Sequence, residues 1–337
     1  MTDNLQIRLA ARPEGLPKTT DFETTHEGIP TPGDGQVLVR NIYLSLDPAM
    51  RGWMTDRKSY VEPVGLGDVM RGLTVGEVVD SKADGFAAGD LVSTAAVGWQ
   101  RFGVANAKEL DKLPKGQPLP LFLGPLGMTG LTAYFGLLDI GEPKEGETVV
   151  VSAAAGAVGS VVGQIAKIKG CRVVGIAGGA DKCAWIRDEL GFDAAVDYKA
   201  PDMAKALRDA CPKGIDVYFD NVGGEILDAA LALLNFKARI PLCGAISVYN
   251  ATEPVPGPYN YLSILVNRAR IEGFIVFDFR RRYAEALQEL GQWVAEGKIQ
   301  GRYDIVNGLE NASTALLKLF DGSNTGKLIV QVGDEPA

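Results

Sequence analysis

Apolar positions along the chain follow one period in the first part and another in the middle. Up to about residue 120 they come in short β-type runs broken by Gly and Pro, as in Gln36-Val37-Leu38-Val39-Arg40 and Thr74-Val75-Gly76-Glu77-Val78-Val79, which predicts a mostly β lobe. From about Leu126 helical spacing takes over in Thr129 to Leu138, and β-type runs then alternate with helical segments. The candidate strands are Thr148 to Ser152, Arg172 to Ala177, Ala194 to Tyr198, Ile215 to Asp220, Arg239 to Cys243 and Glu272 to Val276. Helical spacing marks Val158 to Lys169, Lys182 to Leu190 and Tyr283 to Glu296. Alternation of this kind predicts an α/β fold with a doubly wound parallel sheet, of the size that dinucleotide-binding folds use. The closing run Lys327 to Val332 is again β-type and is expected to return to the first lobe, making the α/β segment an insertion.

Composition narrows the class. No apolar run approaches the roughly 18 residues of a membrane span, and the first residues show neither the basic start nor the apolar core of a secretory signal, so the expected location is the cytoplasm. A net charge of −8 repels phosphate backbones, and the basic triplet Arg280-Arg281-Arg282 reads as a solvated helix start, so no nucleic-acid partner is expected. The four cysteines (Cys171, Cys183, Cys211, Cys243) form no Cys-x-x-Cys pair and read as reduced, mostly buried thiols. The single histidine, His26, sits in a polar stretch and reads as a surface residue. With no cysteine in the first half of the chain, this donor set argues against a metal site, which needs three or four ligands.

The informative motif is Ala153-Ala154-Ala155-Gly156-Ala157-Val158-Gly159, between a strand and a helix. A dinucleotide site needs a strand that stops abruptly, a turn whose backbone can touch a pyrophosphate, and a helix whose first N–H groups face that anion. Gly156 permits the approach and Gly159 lets the helix pack on the strand; Ala154 stands where the usual pattern has its first glycine. After the second strand the chain reads Gly178-Gly179-Ala180-Asp181-Lys182, which leaves room for a 2′-phosphate and offers Lys182 as its cation. Asp181 is either an acid that selects NAD or a cap of the following helix.

These residues, with Asp220-Asn221-Val222-Gly223-Gly224, the stretch Cys243 to Asn250, Asn324-Thr325-Gly326-Lys327 and Leu44 to Gly52, resemble the zinc-independent medium-chain dehydrogenase/reductases of the prostaglandin reductase/leukotriene B4 dehydrogenase branch. That branch includes plant alkenal double-bond reductases and bacterial curcumin-type reductases. The resemblance implies a Rossmann domain (126–299) inserted into a GroES-like, mostly β domain (1–125 and 300–337), a homodimer, and NADPH-dependent reduction of the carbon–carbon double bond of α,β-unsaturated ketones and aldehydes. Carried over residue by residue, it implies cofactor contacts from Ala155 to Gly159, Gly178, Lys182 and Tyr198 at the 2′-phosphate, Asn221, the run Cys243, Gly244, Ala245, Ile246, Ser247 and Tyr249, then Phe274, Ile275, Val276 and Asn324.

Enone reduction needs a hydrogen-bond donor at the carbonyl oxygen, where enolate charge collects. Tyr249 is the first candidate and Tyr60 the second. Met50 is read as cleft lining or as core, and Tyr60, Tyr259 and Tyr261 are candidate substrate contacts, because a channel tyrosine of some eukaryotic members aligns with Val266 here. A quinone reductase and a catalytically silent NADPH-binding protein are the alternatives on the same scaffold.

Overall fold

Between residues 148 and 273 strand and helix alternate in a regular series, in a computed structural model that describes residues 3 to 336. The strands are β1 (Thr148–Ser152), β2 (Arg172–Ala177), β3 (Ala194–Asp197), β4 (Ile215–Phe219), β5 (Leu234–Leu242) and β6 (Arg270–Gly273). The helices are α1 (Ala157–Ile168), α2 (Ala180–Asp188), α3 (Met203–Ala210), α4 (Gly224–Leu231), α5 (Leu262–Asn267) and α6 (Tyr283–Ala295). All six strands are parallel, in the order β3-β2-β1-β4-β5-β6. β1 is buried along its whole length, as a parallel strand covered on both faces must be. Val149 and Val151 face a core with Ile165, Phe219 and Trp293, while Val150 faces another with Val174, Tyr218, Leu231 and Ile240. Each such side chain removed from water contributes about 1.5–3 kcal/mol. The strand order reverses between β1 and β4, so the connections that leave their carboxyl ends run in opposite directions and open a crevice there.

Two strand boundaries differ from the sequence reading by more than two residues, each for a local reason. β5 begins at Leu234, ahead of the expected Arg239, because its first turn carries exposed Phe236 and a left-handed Lys237 (φ 59°) and its register against β4 shifts. Such a bulge hides the alternation. β6 stops at Gly273 because Phe274 turns inward onto Phe219, with ring centroids 6.2 Å apart, and the chain enters the 3-10 turn Val276–Arg282.

The chain divides into two units, Gly124–Arg302 and a second built from the residues before Gly124 and after Arg302. In the second, a mixed sheet runs in the order Tyr303–Asn307, Lys327–Gln331, Gln36–Ser45, Thr74–Ser81, Leu91–Thr94 and Asp111–Lys112, with Phe102–Asn106 also paired to Gln36–Ser45. Lys327–Gln331 lies antiparallel to Gln36–Ser45, which joins the two ends of the chain in one mostly β unit, with the α/β unit an insertion in the sequence. Its core gathers Leu44, Leu46, Met50, Trp99, Leu316 and Val330. No helix among the described residues is long and apolar enough to cross a membrane.

Candidate active site

The turn after β1 is built by a backbone reversal at Ala153, which takes a left-handed φ of 48°. A non-glycine residue pays about 1–2 kcal/mol for that conformation, and Ala154 N–H donating to Ile176 O at 2.9 Å helps hold the turn against β2. Gly156 is the N-cap of α1, and its N–H returns to Ala153 O at 2.9 Å. No side chain caps α1, so the first-turn N–H groups of Ala157, Val158 and Gly159 have no intrahelical acceptor and present a positive end to an anion. A Cβ on Gly156 would lie 3.1 Å from Ala153 O, and one on Gly159 would overlap that same oxygen. This cradle fits a pyrophosphate.

Beyond β2, Gly179 (φ 93°) is the N-cap of α2 and donates its N–H to Asp197 Oδ1 at 2.8 Å. The same carboxylate oxygen accepts Lys199 N–H at 2.9 Å, which draws the ends of β2 and β3 together. The ring of Tyr198 then fills the space that a side chain at Gly178 would need. Lys182 lies in the first turn of α2, half-buried, while Asp181 is exposed on that helix. The cap expected of Asp181 is supplied by Gly179 instead. A bare strand end, a half-exposed phenol and a helix-borne cation fit a phosphorylated ribose.

The ends of β4 and β5 are joined through Asp220, whose backbone oxygen accepts N–H bonds from Cys243 (2.9 Å) and Gly244 (3.1 Å). Asn221 donates its side-chain N–H to Ser152 O at 2.8 Å. The segment from Ala245 to Ser247 packs back on the turn after β4, with Ile246 N–H on Asn221 O (3.3 Å) and Ser247 Oγ–H on Val222 O (2.6 Å). Tyr249 Oη accepts Ala245 N–H at 3.2 Å, and the phenol stands 3.0 Å from where a Cβ of Gly244 would be. Burial, and after it the Asp220 carboxylate, push the Cys243 thiol up to about 12. The Cys243 thiol is therefore held in its neutral form.

Several expected contacts take other places. Met50 is fully buried in the β unit's core with Leu44 and Trp99, so the reading as site lining is corrected to core. The side chains of Phe274 and Val276 are also directed inward: Phe274 lies against Phe219 and Phe279, and Val276 is buried with its carbonyl taken by Tyr283 Oη–H at 3.0 Å. Phe274, Ile275 and Val276 lie at the end of β6, with Phe274 partly buried and Val276 buried. Tyr259 and Tyr261 are 81% and 59% exposed on a 3-10 turn that Asn260 pins to Asp228 on α4. Tyr259 borders a groove of about 650 Å³ between α3, α4 and residues 255–260. In the β unit, Tyr60 is half exposed with its Oη accepting Trp53 Nε1–H at 3.4 Å, and Asn324 donates to Gly326 O at 3.2 Å. His26 is on the surface beside Asp3, and Arg282 pairs with Asp139 and Glu285.

Ser152, Asp197 and Asp220 were not singled out by the sequence reading. Asp197 carried a usable signal, an Asp at a strand end ahead of a turn. Ser152 and Asp220 look like ordinary strand termini and meet only through the sheet.

A glycine-cradled turn at the switch point of a 3-2-1-4-5-6 sheet, borne by a unit inserted into a β unit, is the signature of the medium-chain dehydrogenase/reductases. Models of that family match the chain twice: the N-terminal domain of oxidoreductase over residues 5–113, and zinc-binding dehydrogenase over residues 157–292. The chain belongs to this family, in the branch of the prostaglandin, alkenal and curcumin reductases. It is 51% identical to the NADPH-dependent curcumin reductase of Escherichia coli (strain K12) over 334 residues, 97% of this chain and 96% of that protein. It is 42% identical to the 2-alkenal reductase (NADP(+)-dependent) of Nicotiana tabacum, over 98% of each chain. The crystal structure of CurA in complex with NADPH from Vibrio vulnificus superposes with a TM-score of 0.94 at 50% identity, covering 98% of this chain and 100% of that one.

Zinc, which one of those family descriptions implies, does not fit the donors present. His26 is on the surface paired with Asp3, and Cys171, Cys183 and Cys211 are each buried in packed cores. No three His, Cys, Asp or Glu side chains among the described residues come together as a metal-binding group.

Proposed function

We propose that this protein uses NADPH to reduce the carbon–carbon double bond of α,β-unsaturated ketones and aldehydes, without zinc. The observation that carries the reading is the end of β2, where Gly178 lies under Tyr198 and Lys182 stands in the first turn of the helix that follows. The names of the related curcumin and 2-alkenal reductases, both acting on conjugated carbonyls, support the substrate class.

Bound NADPH supplies a hydride for the β-carbon of the conjugated system. The first turn of α1 would hold its pyrophosphate, and Lys182 with Tyr198 would hold its 2′-phosphate. Asn221, the segment from Cys243 to Tyr249 and the run Phe274 to Val276 would hold the nicotinamide half, and Asn324 is a further candidate cofactor contact. The carbonyl oxygen of the substrate gains negative charge, and Tyr249 donates its hydroxyl proton to it. A phenol brings a proton without a charge, and accepting Ala245 N–H strengthens its own O–H as a donor. Tyr60 is the second candidate for that role, and Tyr60, Tyr259 and Tyr261 are candidate substrate contacts.

Loss of NADPH absorbance with a panel of enals, enones, quinones and simple ketones, with NADH in parallel, tests the assignment. Turnover confined to conjugated carbonyls is expected; faster turnover of quinones than of enones would make the protein a quinone reductase, and binding without turnover would make it a silent NADPH-binding protein. Tyr249→Phe is expected to lower kcat roughly 100-fold, the size of a lost oxyanion donor, and full turnover would remove Tyr249 from the chemistry.

The same reading includes a homodimer in the cytoplasm. β6 is exposed at the sheet edge, and Leu262, Leu265 and Val266 of the adjoining α5 are 58%, 74% and 66% exposed. An open edge beside an apolar patch is a surface that another chain completes. The four cysteines stay free, as a reducing compartment would keep them.

A further inference from the structure

Asp220 has no measurable exposure, although it stands one residue past the end of β4, at the crevice. Burying a carboxylate is costly unless donors surround it. Here one oxygen takes four: Oδ1 accepts Tyr218 Oη–H (2.9 Å), Ser152 Oγ–H (3.1 Å) and the N–H groups of Val222 (3.0 Å) and Gly223 (2.9 Å). Oδ2 is buried with no hydrogen-bond partner. Four donors on a single atom demand the charge and lone pairs of an anion, which a neutral amide oxygen matches poorly.

The chain of contacts leads to Asn221. The Ser152 hydroxyl has Asp220 Oδ1 at 3.1 Å and Phe219 O at 3.4 Å, so the carboxylate takes its proton. With that proton committed, the Ser152 oxygen is left as an acceptor and receives Asn221 N–H at 2.8 Å. Ser152 O receives Asn221 Nδ2–H, also at 2.8 Å. Two oxygens cannot bond to each other, so the amide of Asn221 turns its nitrogen to this main-chain carbonyl and presents its oxygen, while the Ser152 hydroxyl holds the backbone of Asn221 at the distance that makes this possible.

We propose that Asp220 is a positioning residue which, by holding the Ser152 hydroxyl as an acceptor for the backbone N–H of Asn221, fixes the backbone of Asn221 before the dinucleotide arrives, so that its side-chain amide lies on the main-chain carbonyl of Ser152 and presents its oxygen to a donor on the nicotinamide nucleoside half, a ribose hydroxyl or the carboxamide N–H. This rests on the reading of Asn221 as a cofactor contact. The backbone of Asp220, which also receives Cys243 and Gly244 N–H, extends the same control to the loop after β5. Orientation fixed in the free protein is not paid for at binding.

The test measures NADPH dissociation constants by fluorescence titration, with thermal unfolding alongside, for Asn221→Ala, Ser152→Ala, Asp220→Asn and the double variant Ser152→Ala/Asn221→Ala. Asn221→Ala is expected to weaken binding about tenfold. Ser152→Ala and Asp220→Asn should weaken it by a similar factor, and the double variant should bind no worse than Asn221→Ala, because the serine acts through the asparagine. A merely structural role would make the two losses multiply. If Asn221→Ala weakens binding while Ser152→Ala binds like wild type, or if the losses multiply, the positioning role is overturned and the contact at Asn221 stands. Wild-type affinity of Asn221→Ala overturns both. Should Asp220→Asn fail to fold, the serine cycle decides alone.

Discussion

The ring of Tyr198 occupies the space that a side chain at Gly178 would need: a Cβ there would lie 2.8 Å from Cε1 and 3.0 Å from Oη. Twenty residues apart in sequence, the two meet because Asp197 binds the backbone N–H groups of Gly179 and Lys199 and so aligns the ends of β2 and β3. A larger residue at 178 must displace the phenol. Gly178→Val is therefore expected to raise KM for NADPH. Lys182→Ala should raise it roughly 10- to 100-fold, the worth of a charged hydrogen bond, with KM for NADH within about twofold of wild type. Steady-state kinetics with both cofactors checks this, and an equal effect of Lys182→Ala on the two would overturn the 2′-phosphate assignment.

Gly159 has no room for a methyl group, since its Cβ would overlap Ala153 O. In Gly159→Ala the start of α1 must move away from β1, and the first-turn N–H groups move with it. Overpacking of this kind costs about 1–3 kcal/mol and lowers Tm by roughly 2–8 °C. NADPH affinity should fall about tenfold, and calorimetry with a binding titration separates the two effects. Unchanged affinity in a folded variant would show that the helix terminus does not hold the pyrophosphate.

The thiols respond to pH with a definite sign. Burial is the largest cause of shift in each: it pushes Cys171 and Cys211 up to about 11 and Cys243 up to about 12, against an ordinary 9.0. Because the thiolate is the reactive form, the native protein should resist iodoacetamide at pH 8, while the unfolded chain reacts fully. The folded state also holds these protons where the unfolded chain releases them. Stability is thus full below pH 9 and declines as pH climbs from 9 toward 11 and 12. Rapid labelling of Cys243 near neutral pH would contradict the burial that the structure gives its sulfur.

Assembly through the β6 edge predicts a monomer when the patch is charged. Leu265→Glu combined with Val266→Glu changes two side chains that are 74% and 66% exposed, so the fold of one copy should survive. Light scattering on the eluting peak should give half the wild-type mass, and an unaltered mass would place the contact elsewhere.

By itself, the sequence determined what depends on near neighbours in the chain. Hydrophobic period located β1, β2, α1 and α2 within a residue or two, because a strand buried on both faces and a helix packed on one stripe leave different marks within a few residues. The phosphate turn was legible for the same reason, being backbone geometry written in small residues. Tertiary structure alone decided side-chain direction across long separations. Ser152 meets Asp220 from 68 residues away, Phe274 meets Phe219, and Met50 shares a core with Trp99. Nothing in the local pattern distinguishes these outcomes, because each depends on which strand lies beside which, and a sheet places its neighbours by topology.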